Sequence, residues 1–203
     1  MNRRAFLKNA GALCTVAVLA LYASPGDAAD PAPVAVLVTY HSATGNTEKM
    51  AQGVADGARA VAGTSVILKR VGEVASNDLL SSDAVIVGSP VYFGNMSGEV
   101  KTFFDNWTLK FGVFRDRKMR NKVGAAFATG ASVSSGKEVT ILSILGAMLI
   151  NQMVVVSGGG GFGASATTGP DSPGIDEKEM AEARELGKRV AEIAAVVKRG
   201  SGK

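Results

Sequence analysis

Short apolar runs alternate along this chain with longer segments in which apolar residues recur every three or four positions. The runs predict five strands, at residues 34–39, 65–69, 84–88, 122–128 and 153–157. Continuous apolar runs of this length are typical of strands that are buried on both faces of a sheet. Strands that alternate with helices predict an α/β fold with a doubly wound, five-stranded parallel sheet and helices on both faces.

The longer segments have the periodicity of helices. Residues 47–62 predict the first helix. A second carries four large side chains at the spacing i, i+3, i+4 and i+7, which indicates core packing: Val100, Phe103, Phe104 and Trp107. The last helix is predicted to start at Asp176, where Glu179 three residues later completes a capping box, and to run to about Val197.

The segment 139–150 is also helical, but it is apolar nearly all round. It is shorter than the roughly 20 residues that cross a bilayer. We therefore expect this helix to be buried between layers of the fold or between subunits. The second arrangement predicts a homodimer or homotetramer.

Residues 1–29 predict a signal peptide. A basic start is followed by an apolar run of about 14 residues, too short for a bilayer span, and then by small residues. The stretch Arg3-Arg4-Ala5-Phe6-Leu7-Lys8 resembles the twin-arginine motif, which implies export of the folded protein to the periplasm. The alternative is an uncleaved anchor. Residues 33–198 then form one globular domain, and residues 199–203 a flexible tail.

Composition limits the chemistry of the chain. Its 203 residues are 46% hydrophobic and 20% charged, which suits one domain with a core. The net charge of +4 is not concentrated in basic runs, so nucleic acid is not an expected partner. The one cysteine, Cys14, lies in the predicted signal peptide, and the one histidine is His41. These counts exclude disulfides, Cys/His zinc sites and iron–sulfur clusters, and we assign no metal ligand.

The loop after the first strand is rich in hydroxyl groups and has no cation. Gly45 permits a tight turn with its N–H groups inward, and the helix that begins near Asn46 adds the partial positive charge of its N-terminus. The loop therefore predicts a phosphate site, formed by Ser42, Ala43, Thr44, Gly45, Asn46 and Thr47. The alternative is a turn in which Ser and Thr only cap backbone N–H groups.

Two more loops follow the third and fourth strands, at the sheet edge where doubly wound proteins bind their ligands. One has aromatic side chains and a proline turn, which suit a flat heteroaromatic ring: Pro90, Val91, Tyr92, Phe93, Gly94 and Asn95. The other is small and polar, and suits the other edge of such a ring: Thr129, Gly130, Ala131, Ser132, Val133 and Ser134. The stretch 158–163 matches G-x-G-x-x-G, but no helix follows it, so residues 158–174 are interpreted as a long flexible loop.

Two of these loops carry the motifs of a known family. The pattern S-x-T-G-x-T from Ser42 resembles the phosphate loop of flavodoxins. The pattern P-x-x-F-G-N-M-S-G from Pro90 resembles the flavodoxin-like NAD(P)H:quinone oxidoreductases of the Trp-repressor-binding-protein type. The resemblance extends from about Val34 to Val197 and implies a flavodoxin-like fold with FMN as the cofactor.

The resemblance also implies which part of the cofactor each loop contacts. The first loop would hold the FMN phosphate, Val91, Tyr92 and Phe93 would lie along the isoalloxazine, and the third loop would contact its rim and ribityl chain. Asn151 occupies the position of a family histidine beside the ring, and Val91-Tyr92 stands where Thr-Arg is common.

Two functions from different classes follow from this resemblance. The first is a two-electron NAD(P)H:quinone reductase, in which the flavin carries the chemistry and no protein acid, base or nucleophile is assigned. The second is an exported flavodoxin-type carrier that passes electrons between redox partners. The expected partners of the protein are NAD(P)H or a quinol as donor and a quinone or a redox protein as acceptor. The basic net charge favours the enzyme, because ordinary carrier flavodoxins are acidic. A third possibility is a structural relative without flavin.

Overall fold

The computed structural model describes residues 33–170 and 174–201, so the predicted signal peptide lies outside the described residues. Within them, one sheet contains seven strands: β1 Val34–Tyr40, β2 Thr64–Arg70, β3 Ala84–Tyr92, β4 Asn95–Met96, β5 Val123–Gly130, β6 Val154–Val155 and β7 Ala164–Thr167. The α-helices of the same residues are α1 Asn46–Arg59, α2 Ser76–Ser81, α3 Gly98–Leu109, α4 Lys137–Ile150 and α5 Glu177–Gly200.

The sheet has the predicted doubly wound topology. Its order is β2-β1-β3-β5-β6, and every neighbouring pair along this path is parallel. The chain moves outward from β1 to β2 and then returns to the other side of β1 with β3. This reversal puts the loops after β1 and β3 side by side at the carboxyl edge of the sheet, where ligands of such sheets bind.

The last strand of the sheet differs from the prediction, because two short strands, β6 and β7, pair with β5 in place of one. Residues 153–157 were expected to form one strand, but β6 has only two residues, and β7 joins β5 farther along after an interruption. The expectation that residues 158–174 form only a loop is therefore wrong. The strand β7 has the sequence Ala-Ser-Ala-Thr, and Ala164 and Ala166 are buried although neither is large enough to produce an apolar run.

Helices α1 and α5 cover one face of the sheet, and α3 and α4 cover the other. The first pair approaches unusually closely through two glycines. A Cβ placed on Gly57 would lie 1.8 Å from the carbonyl oxygen of Arg184, and one on Gly187 would lie 1.8 Å from that of Val54. The four predicted core side chains of α3 are buried, as expected.

Helix α5 confirms the predicted cap. The Asp176 side chain accepts from the N–H of Glu179 at 2.7 Å, and Glu179 accepts from the N–H of Asp176 at 3.1 Å. The helix continues to Gly200, beyond the predicted end near Val197.

Helix α4 is not buried between layers of this chain. One side, which includes Ile141, Ile144 and Met148, packs on the sheet. The other side consists of large apolar residues that are 45–66% exposed: Val139, Leu142, Leu149 and Ile150. Among the described residues no helix has both the length and the apolar character to cross a membrane.

Candidate functional site

A cavity of about 210 Å³ lies at the carboxyl edge of the sheet, where the loops after β1, β3 and β5 meet. Its walls are formed by Ala43, Thr44, Asn46, Thr47, Pro90, Val91, Tyr92, Thr129, Gly130, Ala131 and Thr168. The structure thus brings residues of all three predicted loops to one place. Thr168, which follows β7, was not predicted, because the strand that delivers it was missed.

The first loop is shaped as an anion site. Gly45 adopts a left-handed conformation with φ +89°, and α1 starts behind it without any side-chain cap on its first N–H groups. Amide hydrogens at the start of such a helix, together with its dipole, attract phosphate groups. Ser42 is buried and accepts from the N–H of Gly45 at 3.1 Å, so Ser42 and Gly45 shape the turn while Thr44, Asn46 and Thr47 line the cavity.

A buried hydroxyl pair joins the first and third loops. The Oγ1 atoms of Thr47 and Thr129 are 2.7 Å apart, although the residues are 82 positions apart in sequence. Because either hydroxyl can be the donor, the pair can also offer a hydrogen to a ligand in the cavity.

Arg70, at the end of β2, donates hydrogen bonds to the first loop and to the helix that follows it. Its Nη1 donates to the carbonyl oxygen of Ser42 at 2.8 Å, and its Nη2 donates to Glu48 at 2.6 Å. The hydroxyl of Tyr40 donates to the same carboxylate at 2.9 Å. Burial, together with the neighbouring Glu48 carboxylate, raises the pKa of Tyr40, so it stays protonated as a donor. Nothing in the local sequence around Arg70 indicated this role.

The second loop contributes less than predicted. Pro90, Val91 and Tyr92 line the cavity, whereas Phe93 lies at the tip of the β3–β4 turn with φ +51° and is fully exposed. Gly94 and Asn95 also lie outside the cavity wall, and the Asn95 side chain accepts from the N–H of Met96 at 2.8 Å.

The third loop contributes its first three residues. Thr129, Gly130 and Ala131 line the cavity, and the other three predicted residues are exposed and do not: Ser132, Val133 and Ser134. The third loop ends at Gly136, which has φ +98° and packs against the second loop. A Cβ placed on Gly136 would lie 3.0 Å from the Cα of Gly94.

The structure does not bring Asn151 to this cavity. Its Nδ2 donates to the carbonyl oxygen of Ala147 at 2.8 Å, and the residue lines a separate groove between α3 and α4. His41 lines a neighbouring cavity of about 880 Å³, where its Nε2 is 3.7 Å from a carboxylate oxygen of Glu99. Tyr92 borders both this larger cavity and the smaller one.

The donors around the smaller cavity fit a phosphorylated ligand. Hydroxyls, an amide side chain and uncapped helix N–H groups line the side of the cavity formed by its first loop, and none of the described residues in the wall carries a carboxylate. A volume of about 210 Å³ is below the roughly 300 Å³ of the smallest usual ligand pockets, so it would admit only part of a cofactor. The rest would extend over the exposed second and third loops.

Comparison with known proteins gives one family. The profile of the NADPH-dependent FMN reductases matches residues 32–167, a stretch that contains all three loops. Two similar proteins are named NAD(P)H dehydrogenase (quinone). The protein from Archaeoglobus fulgidus is 34% identical over 193 residues, covering 78% of this chain and 96% of that protein. The protein from Methylocella silvestris is 36% identical over 199 residues, covering 80% and 98%.

Solved structures agree with the topology. A flavodoxin, WrbA-like protein from Agrobacterium tumefaciens has a TM-score of 0.68 and 28% identity, and the match covers 79% of this chain and 97% of that one. A flavodoxin from the domain Archaea has a TM-score of 0.64 at 21% identity, with 79% and 99% covered, which supports the fold alone. The predicted flavodoxin-like fold is confirmed.

Proposed function

We propose that this chain, which belongs to the NADPH-dependent FMN reductase family, is an FMN-dependent oxidoreductase that transfers two electrons from NAD(P)H to a quinone. The observation that carries the proposal is the meeting of three loops at one cavity with an uncapped helix start on its phosphate side. The relatives named NAD(P)H dehydrogenase (quinone) support the choice of donor and acceptor.

Thr44, Asn46, Thr47 and the first turn of α1 would hold the FMN phosphate, and Tyr92 with Ala131 would border its ring system. Bound FMN supplies the redox chemistry, in which NAD(P)H, a quinone and one proton give NAD(P)⁺ and the hydroquinone. The described residues of the cavity wall include no carboxylate, imidazole or amine. The described residues of this wall therefore bind and orient the ligand.

The test is a pair of measurements on the purified protein. We expect it to be yellow, to bind FMN one-to-one, and to quench the fluorescence of added FMN. Stopped-flow mixing with NADH and with NADPH, followed by a benzoquinone, should show fast reduction and reoxidation of the bound flavin. Colourless protein that does not bind FMN would refute the cofactor assignment. Reduction slower than seconds would favour the electron carrier instead.

We also propose that the protein works in the periplasm after folded export, which rests on the residues 1–29. A cofactor-loaded protein has a reason to use a folded-state route, since an unfolded chain cannot carry FMN. Free NAD(P)H is scarce beyond the membrane, so a quinol or a partner redox protein is the alternative donor.

Replacing Arg3 and Arg4 with lysine is expected to leave the protein in the cytoplasm, because the paired guanidinium groups are the distinguishing feature of the twin-arginine signal. Cell fractionation followed by immunoblotting measures the distribution. A matched control replaces Arg115 and Arg117 with lysine, which conserves the same charges outside the signal. Equal periplasmic amounts of both variants would contradict the export route.

We propose that the exposed face of α4 is a contact between subunits. Its large apolar residues have no covering element within the described part of the chain. Light scattering is expected to show a dimer or tetramer at micromolar concentration, and Leu142→Glu with Leu149→Glu should give the monomer. Val196→Glu, on the exposed side of α5, is the control and should not change the mass. A wild-type monomer would contradict this arrangement.

A further inference from the structure

Lys137, the first residue of α4, is a buried lysine that has no counter-charge among the described residues. The residue is only 6% exposed, and its Nζ donates to Oγ1 of Thr167. Within residues 33–170 and 174–201 no carboxylate lies within ion-pair distance of Nζ. The Glu179 carboxylate instead accepts from the backbone N–H groups of Thr167 and Asp176.

An ammonium group has three hydrogens to donate, and burying it unpaired is unfavourable. A second polar group lies beside it: Oγ of Ser135 is buried and has no hydrogen-bond partner in the described part of the chain. Both lie against Gly130, since a Cβ placed on Gly130 would be 2.1 Å from Oγ of Ser135 and 3.0 Å from Cγ of Lys137. The Lys137 ammonium and the Ser135 hydroxyl, which both have hydrogens left to donate, therefore lie together beneath the third loop.

This position adjoins the wall of the proposed flavin cavity. Gly130 lines the cavity and is paired in register with Thr167, whose neighbour Thr168 also lines it. The N-terminus of α4 lies at the same place, because Lys137 is its first residue. The capping residue Gly136 has φ +98° and makes no side-chain hydrogen bond to the first N–H groups of the helix. The helix dipole therefore adds a partial positive charge to that of the lysine.

We propose that Lys137 sets the reduction potential of the flavin in this site. The inference rests on the proposed function, because it requires FMN in the cavity. Reduction adds two electrons to the ring system, so a nearby buried positive charge stabilises the reduced cofactor more than the oxidised one. Lys137 thus raises the potential of the bound flavin, and it acts by its charge from behind the third loop and not by contact with substrate.

The test compares Lys137→Gln, Lys137→Met and Lys137→Arg with the wild type. Dissociation constants of oxidised and of reduced FMN are measured under anaerobic conditions, and dye equilibration gives the midpoint potential. In the two neutral variants we expect reduced FMN to lose about tenfold more affinity than oxidised FMN. This ratio corresponds to a potential lower by about 30 mV for a two-electron couple. Lys137→Arg should keep the wild-type potential, and Lys188→Gln, on the exposed side of α5, is the control for loss of a distant charge.

Equal loss of affinity for both redox forms, with an unchanged potential, would overturn the proposal, because it would show a purely structural lysine. Failure of both neutral variants to fold as apoprotein, measured by circular dichroism, would overturn it for the same reason. A wild-type protein that binds no FMN would instead overturn the proposed function. Binding with an unchanged potential in the variants removes only the inference about Lys137.

Discussion

Replacing both Thr44 and Thr47 with valine is expected to weaken FMN binding about a hundredfold while riboflavin binding changes little. Both residues line the phosphate side of the cavity. Hydrogen bonds to charged groups each contribute roughly 1.5–3 kcal/mol. Two such bonds therefore correspond to a hundredfold or more in the dissociation constant, at about 1.4 kcal/mol per factor of ten. Riboflavin has no phosphate, so it does not lose these bonds.

Fluorescence titration with both ligands measures this difference. Thr108→Val, on the exposed part of α3 away from the cavity, is a control for the loss of a hydroxyl. The single variant Thr129→Val separates the two roles of Thr47, because it removes the 2.7 Å hydroxyl pair but leaves Thr47 in place. Equal loss of FMN and riboflavin in the double variant would mean that the first loop does not bind the phosphate.

Gly187→Ala is expected to lower the free energy of unfolding by about 3 kcal/mol or more. The new methyl group would lie 1.8 Å from the carbonyl oxygen of Val54, which is a backbone atom of the facing helix. A rotamer change cannot relieve this clash, so α1 and α5 must move apart along their whole contact. Helix propensity works in the opposite direction, since Ala is favoured over Gly by about 1 kcal/mol in a helix interior.

Gly200→Ala, in the last turn of α5, is the matched control, because no atom outside the helix lies within 4 Å of its added Cβ. Thermal unfolding should show it as stable as the wild type or slightly more stable. In a chain of this length 1 kcal/mol corresponds to roughly 2–4 °C, so Gly187→Ala should unfold at least about 6 °C lower. Similar midpoints for the two variants would contradict the close contact between α1 and α5.

Apolar patterning sufficed for the elements that bury large side chains on both sides. The strands β1 and β3 were predicted for this reason, and α3 was predicted from four large residues at helical spacing. The strand β5, also predicted, carries large side chains on one face, Val123 and Phe127, and only glycine and alanine on the other. The strand β7 was missed because its four residues are alanine, serine and threonine, which give no run of large apolar side chains. The short helix α2, of six residues, was also missed, since it contains too few turns for a period to be recognised.

The three loops of the site were predicted because parallel strands must bring their carboxyl ends to one edge. What could not be predicted was which residues of each loop face inward. Phe93 turns outward because of its left-handed backbone, and local sequence gives no sign of that conformation at a phenylalanine. The bond from Arg70 to the carbonyl oxygen of Ser42 was missed because it joins positions 28 residues apart, a contact set by the pairing of β1 with β2.

The interrupted fifth strand gives this flavoprotein an attachment point for an electrode or a fluorescent label. Gly159 and Gly163 are held against backbone, since added Cβ atoms would lie 1.9 Å from the carbonyl oxygen of Glu182 and 2.1 Å from that of Ala126. Between them, Gly161 has open space beside it and Phe162 is half exposed. Residues inserted between Gly161 and Phe162 would extend into solvent from two fixed ends. A linker placed there would connect the protein to a surface without altering the three cofactor loops.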